Sequence, residues 1–213
     1  MGVDEAGRGP LLGPVFAAAV ILKPGVCTKE SGIKDSKLYH SRKGLEIAQR
    51  KVLAAARVIG VGSASVAEID SMNIRRATHL AMHRAIASGL EQLGSEREKV
   101  KLYIDGNDFT PYSRPGIDTI DGVPYECVVK GDSKVDAISA ASIIAKVSRD
   151  QEVIRLCEEL PELRDIYGAD RHKGYGTRQH LDAIAKHGVT AHHRLSFRPC
   201  SQQRPFSKRE GVR

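Results

Sequence analysis

Long hydrophobic runs are missing from this chain of 213 residues. The longest uncharged apolar stretch, Val15 to Leu22, is far too short to span a bilayer, so no membrane helix is expected. Cysteine is scarce. Cys27, Cys127, Cys157 and Cys200 stand apart with no paired spacing, which excludes a zinc site or a disulfide framework. They read as reduced thiols in a cytoplasmic protein. No leader is expected, because the chain opens directly on a motif. Internal repeats and a second compact domain are absent too. Acidic residues are the minority: 26 Asp and Glu against 33 Lys and Arg leave a net charge of +7 and a pI of about 9.3. That balance favours a polyanionic partner, although part of the excess sits in Arg204 to Arg213.

What is present begins at once. Asp4 and Glu5 stand just before Gly7-Arg8-Gly9-Pro10. Paired carboxylates at a strand end suit a hard cation such as Mg²⁺. Glycines flanking an arginine let the backbone approach a polyanion and offer a fork of donors for phosphate. Taken alone, the same residues also make a polar turn. Only Met1-Gly2-Val3 precede the pair, so the first strand is expected to be very short. Adjacent strand residues point to opposite faces, so Asp4 and Glu5 share one site only if the strand ends or twists between them.

Periodicity gives the remaining elements. Val15–Leu22, Arg57–Ala64, Val100–Ile104 and Tyr125–Val129 read as strands, the first of them near enough to Gly2–Glu5 to pair antiparallel. Helices are expected over Arg42–Ala55, Val66–Met72, Asn73–Leu93, Ala137–Leu160 and Arg178–His187. Ser41 and Thr177 are candidate N-caps, and Gly188 a stop. Two strands run into acidic turns, Asp105-Gly106-Asn107 and Gly131-Asp132-Ser133. Asp4, Asp105 and Asp132 either converge at one sheet edge or occupy three ordinary turns. Asp35-Ser36-Lys37 is either a polar helix start or a phosphate-contacting loop. His79 and His83 lack the HExxH glutamate and read as polar-face residues rather than a metal pair. Lys146, Arg149 and Asp150 read as solvated or locally paired. Tyr175, between Gly174 and Gly176, is displayed either to stack on a sugar or base or to fold onto the core. The polar, basic residues after about Cys200 read as a disordered tail.

Six motifs in register carry a resemblance. Asp4-Glu5-Ala6-Gly7-Arg8-Gly9-Pro10, Asp35-Ser36-Lys37, Tyr103-Ile104-Asp105-Gly106-Asn107, Lys130-Gly131-Asp132-Ser133, Ser139 through Val147, and His172-Lys173-Gly174-Tyr175-Gly176-Thr177 occur in this order. The chain from Met1 to about Pro199 resembles the bacterial type 2 ribonucleases H. The resemblance implies an α/β, RNase H-like five-stranded mixed sheet flanked by helices, with a helical C-terminal extension. Residues 1–150 would form the catalytic domain, 151–199 the extension completing the substrate site, and 200–213 the basic tail.

The same resemblance implies cleavage of RNA in RNA–DNA duplexes, including 5′ of single ribonucleotides embedded in DNA. Asp4, Glu5, Asp105 and Asp132 match the family's metal-binding acids, which hold two ions, Mg²⁺ or Mn²⁺. Gly7, Arg8 and Gly9 match the loop that reads the ribonucleotide. Tyr175 matches the tyrosine that packs on the sugar at the RNA–DNA junction, and Lys37 a lysine near the active site. Where the family often continues with a second Lys, this chain has Leu38-Tyr39-His40. A monomer is expected. The competing readings are a duplex-binding module without catalysis and a two-metal nuclease acting on DNA alone.

Overall fold

The computed structural model describes residues 1–27, Ile33, Ser36, Tyr39, 41–113 and 122–206. Its centre is a five-stranded mixed sheet in the order β3-β2-β1-β4-β5. The strands are β1 (Gly2–Ala6), β2 (Val15–Leu22), β3 (Ala56–Ala64), β4 (Leu102–Asp105) and β5 (Tyr125–Val128). β1 runs antiparallel to β2, with Asp4 opposite Ala18, and parallel to β4. The first strand is short, as expected, but it is braced on both sides.

Helices cover both faces: α1 (Arg42–Ala55), α2 (Val66–Met72) and α3 (Ile74–Glu91), then α4 (Asp136–Glu159). Covered faces explain why β2 is apolar throughout, since neither side meets water. Alternation sorts its side chains. Ala17 and Ala19 join Ala77, Ala81, Ala85 and Ile86 of α3, whereas Ala18 and Val20 join Ala140, Ala141 and Ile144 of α4. The alanines keep these layers thin. On β3, a Cβ at Gly60 would lie 2.0 Å from the Ala85 carbonyl oxygen, and one at Gly62 would lie 2.3 Å from that of Ala81. α3 therefore rests directly on the strand backbone, a contact only glycine permits.

The C-terminal third adds α5 (Pro161–Asp165), α6 (Ala169–His172), α7 (Arg178–His187) and α8 (Arg198–Ser201). α4 runs unbroken through residue 150, so the sheet and the extension share one helix. Leu11 and Leu12, from the loop between β1 and β2, enter the extension's core beside Val153, Leu156, Leu163 and Tyr167. The caps fall where the sequence places them: Ser41 accepts from the Gly44 amide, Thr177 from the His180 amide, and Gly188 ends α7.

Two expectations need correction. Residues 200–206 do not trail away. Val189 donates its amide to the Arg204 carbonyl and accepts from the Phe206 amide, and the Phe206 ring lies 6.0 Å from that of Tyr167, giving the polar stretch an apolar anchor. Residues 207–213 lie outside the described residues. Of the residues read as solvated or locally paired, Lys146 and Asp150 form the local ion pair, whereas Arg149, 3.5 Å from Asp150, is not solvated but 1% exposed.

Replacing Gly60 by Ala drives a methyl group into the α3 backbone. The expected cost is about 2 kcal/mol or more of stability, measured by urea unfolding.

Candidate active site

Strand alternation builds the acidic centre. Val3 packs towards α3, so Asp4 points to the opposite face, the side of α4, where Gly2 abuts Ala137. On β4, Leu102 and Ile104 pack with Val3, which sends Asp105 to the Asp4 side. Asp132 arrives on a short 3-10 turn, Gly131–Ser133, just past β5 rather than at the strand end itself. Asp105 holds that turn by accepting from the Gly131 amide at 2.7 Å. Carboxylate oxygens of Asp4, Asp105 and Asp132 lie within 4.8 Å of one another. Of the alternatives left by the sequence, the three aspartates converge.

Glu5 faces the α3 side of β1 and borders the cluster, near enough for its charge to act on Asp4 and for that of Asp105 to act on it. It lines a polar hollow with Arg8, Arg75, His79, Asp105 and Asp108. Arg8 reaches it at 3.5 Å. Burial, then the charges of Glu5 and Asp105, pushes the Asp4 carboxyl well above the usual carboxylate range. Burial also raises Glu5, partly offset by Arg8. Buried oxygen donors that repel one another in this way are the chemistry a divalent cation stabilises, so the donor set fits Mg²⁺ or Mn²⁺.

The Gly7-Arg8-Gly9 loop is held from behind. Gly7 has φ +96°, open to glycine, and a Cβ there would crowd Arg149 at 3.2 Å. Arg194, fully buried, donates to the carbonyls of Gly7 at 2.6 Å, Arg8 at 2.9 Å and Gly13 at 2.9 Å. Burial lowers its pKa to about 9, with the charge of Arg149 adding to the effect. Arg149 donates to the Leu12 carbonyl, and its guanidinium carbon lies 5.7 Å from the centre of the Tyr175 ring. Tyr175 is 45% exposed, and a Cβ at Gly9 would touch its ring edge at 3.7 Å. The displayed tyrosine and the glycine loop are therefore neighbours on one surface.

Sequence reading missed both arginines. Arg149 had a signal, a charge four residues from each of the buried Ala145 and Val153 on one helix face. Arg194 had none, because its partners lie at the other end of the chain. His79 and His83 are not a metal pair. Both ring systems bond to Thr110, His79 to its hydroxyl at 2.9 Å and His83 to its carbonyl at 2.8 Å. His79 is buried by this contact rather than lying on a polar face. Lys37 lies outside the described residues. Nearby Ser36 donates its amide to Ser142 of α4 at 3.3 Å.

The model of the family Ribonuclease HII matches residues 1–200. The chain belongs to the ribonuclease HII family. It is a nuclease of the ribonuclease H type, acting on RNA in RNA–DNA hybrids. Among its relatives, the ribonuclease HII of Nitrosomonas europaea is 45% identical over 202 residues, covering 95% of this chain and 83% of that protein. The ribonuclease HII of Ralstonia pickettii is 48% identical over 198 residues, 93% of this chain and 77% of its own. The ribonuclease H2 from Pyrococcus horikoshii OT3 superposes with a TM-score of 0.65 at 24% identity, covering 94% of each chain. Bst-RNase HIII in complex with Mn²⁺ gives a TM-score of 0.64 at 18% identity, over 94% of this chain and 67% of that one. Both structures share the fold. Among the described residues, no helix is long and apolar enough to cross a membrane.

In chelator, Asp4→Asn is expected to be more stable than the parent by about 1 kcal/mol at pH 8, because a repelled buried charge is gone. The sign follows from the raised Asp4 pKa. The folded parent holds the proton more tightly than the unfolded chain, so the charge destabilises above the folded pKa and ceases to as pH falls towards 4. Urea unfolding of both proteins at pH 8 and pH 4.5 checks whether the difference shrinks.

Proposed function

We propose that this chain is an endonuclease that hydrolyses the phosphodiester bond of RNA in RNA–DNA duplexes, including the bond 5′ of a single ribonucleotide embedded in DNA. Water adds to phosphorus and the bond to the 3′ oxygen breaks, leaving a 3′-hydroxyl and a 5′-phosphate. In this reading Asp4, Glu5, Asp105 and Asp132 hold two divalent cations, Mg²⁺ or Mn²⁺. Bound ions of this kind supply Lewis acidity to the attacking and leaving oxygens.

The observation that carries the proposal is the adjacency of two unlike surfaces. A largely buried carboxylate cluster, hostile to phosphate by itself, is followed along the chain from β1 by a glycine loop exposed at Arg8 and Gly9, with a displayed aromatic ring beside it. Ribose differs from deoxyribose by its 2′-hydroxyl, and a loop of small residues brings backbone groups to it where side chains would collide. Gly7 and Gly9 fill that role here, with Arg8 offering donors to phosphate. Tyr175 packs on the neighbouring sugar, and Lys37 contacts phosphate. The basic balance of the chain supports duplex binding. One chain supplies every part, so the working unit is a monomer. A cytoplasmic setting is supported by Cys127, Cys157 and Cys200, which form no disulfide.

The test is cleavage of a DNA duplex carrying one ribonucleotide, with Mg²⁺, with Mn²⁺ and with chelator, beside an all-DNA control. A metal-dependent nick 5′ of the ribonucleotide is expected. Asp105→Asn should lower the rate at least about a hundredfold while sparing duplex binding. Turnover in chelator, or full activity of Asp105→Asn, overturns the metal assignment. Cutting of the all-DNA control favours a DNA nuclease instead.

A further inference from the structure

Behind Tyr175 stand three histidines that the cleavage chemistry leaves unused. The rings of His172 and His180 stack with centroids 4.7 Å apart, and His180 Nε2 lies 3.1 Å from His193 Nε2. Their partners dictate where the protons sit. The Thr190 amide donates to His193 Nδ1 at 3.0 Å, so His193 carries its proton on Nε2. That proton goes to His180 Nε2, which leaves His180 protonated on Nδ1. Nδ1 donates to the Tyr175 carbonyl at 2.9 Å. His172 holds the preceding peptide, accepting from the Gly174 amide at 3.2 Å and donating to the Tyr167 carbonyl at 2.7 Å. The relay works only with neutral rings, because a second proton on His180 would face the His193 N–H. Burial keeps them neutral, lowering the pKa of His180 to about 4 and of His193 to about 3.

The relay ends on the residue with most need of a fixed backbone. Tyr175 sits between two glycines, Gly174 at φ +78°, and nearly half of it faces solvent. Glycine on both sides leaves the peptide soft. The Thr177 amide also reaches the Tyr175 carbonyl, at 2.8 Å, but that bond is local to the turn. His180 and His193 instead tie the turn to α7 and to the segment after it, beside the buried Tyr167.

We propose that His180 and His193 are positioning residues for Tyr175. They set the placement of its ring beside Gly9, and through it the preference for a single ribonucleotide in DNA over a continuous hybrid. The inference rests on the reading of Tyr175 as the ring that packs on the junction sugar.

The test compares kcat/KM on a duplex with one ribonucleotide with kcat/KM on a long RNA–DNA hybrid. The proteins are the parent, His180→Gln, His180→Asn and Tyr175→Ala, each checked for folding by circular dichroism. Asn keeps an N–H near the Nδ1 position, whereas the longer Gln carries its amide towards His193. His180→Gln is expected to lower the junction-to-hybrid ratio about tenfold, the scale of a small misplacement at a reacting site, and His180→Asn to retain it within about twofold. An unchanged ratio in His180→Gln overturns the proposal, as does an equal loss in both variants, which marks simple damage. If Tyr175→Ala keeps the parent ratio, the reading of Tyr175 itself fails. Should His180→Gln not fold, His193→Leu makes the same comparison one link further out, with His193→Gln as its conservative rescue.

Discussion

The buried guanidinium of Arg194 is the tie on which the rest of the site depends. It satisfies three carbonyls of the segment between β1 and β2, and among the described residues no carboxylate accepts from it. Burying a charge away from water is expensive unless its donors are used. Here they are used on backbone, which spends the interaction on the shape of a loop. Breaking it would leave a buried cation and three buried acceptors without partners, so the loop and Arg194 are held in place together. The Gly7-Arg8-Gly9 backbone is thereby rigid although glycine makes it locally soft.

The acidic cluster shows the opposite balance. Asp4 has one backbone donor, the Glu5 amide at 2.7 Å, and carboxylates for its other charged neighbours. Such an arrangement opposes folding and is carried by the layers around it. β1 is the middle strand, Val3 is fully buried, and glycines on β3 let α3 close down on the sheet. Stability in the layers permits instability among the aspartates they carry.

Much of this was legible in the sequence. The strands and long helices follow from apolar period, and their ends from Ser41, Thr177 and Gly188. Convergence of Asp4, Asp105 and Asp132 was one of two open readings, because pattern alone does not say which strands are neighbours. The rest was hidden for physical reasons. That Glu5 still acts electrostatically on Asp4 from the opposite face of β1 is visible only with the fold in hand. Arg149 and Arg194 look like surface charges until the fold puts carbonyls against them. Residues 200–206 have no period to read, and a single aromatic, Phe206, anchors them. The histidines near Tyr175 are scattered in sequence and meet only in three dimensions.

The loop beside Asp4 is clamped by a residue near the far end of the chain, and this has a temporal side. A ribosome delivers Asp4, Glu5 and the glycine loop first, Asp105 and Asp132 later, and Arg194 only 186 residues after Arg8, whose carbonyl it holds. Until that arginine emerges, the loop it holds has no lock, and Tyr175 has no His193 behind it. The nascent chain thus carries its carboxylates and its glycine loop long before the residue that locks the loop exists.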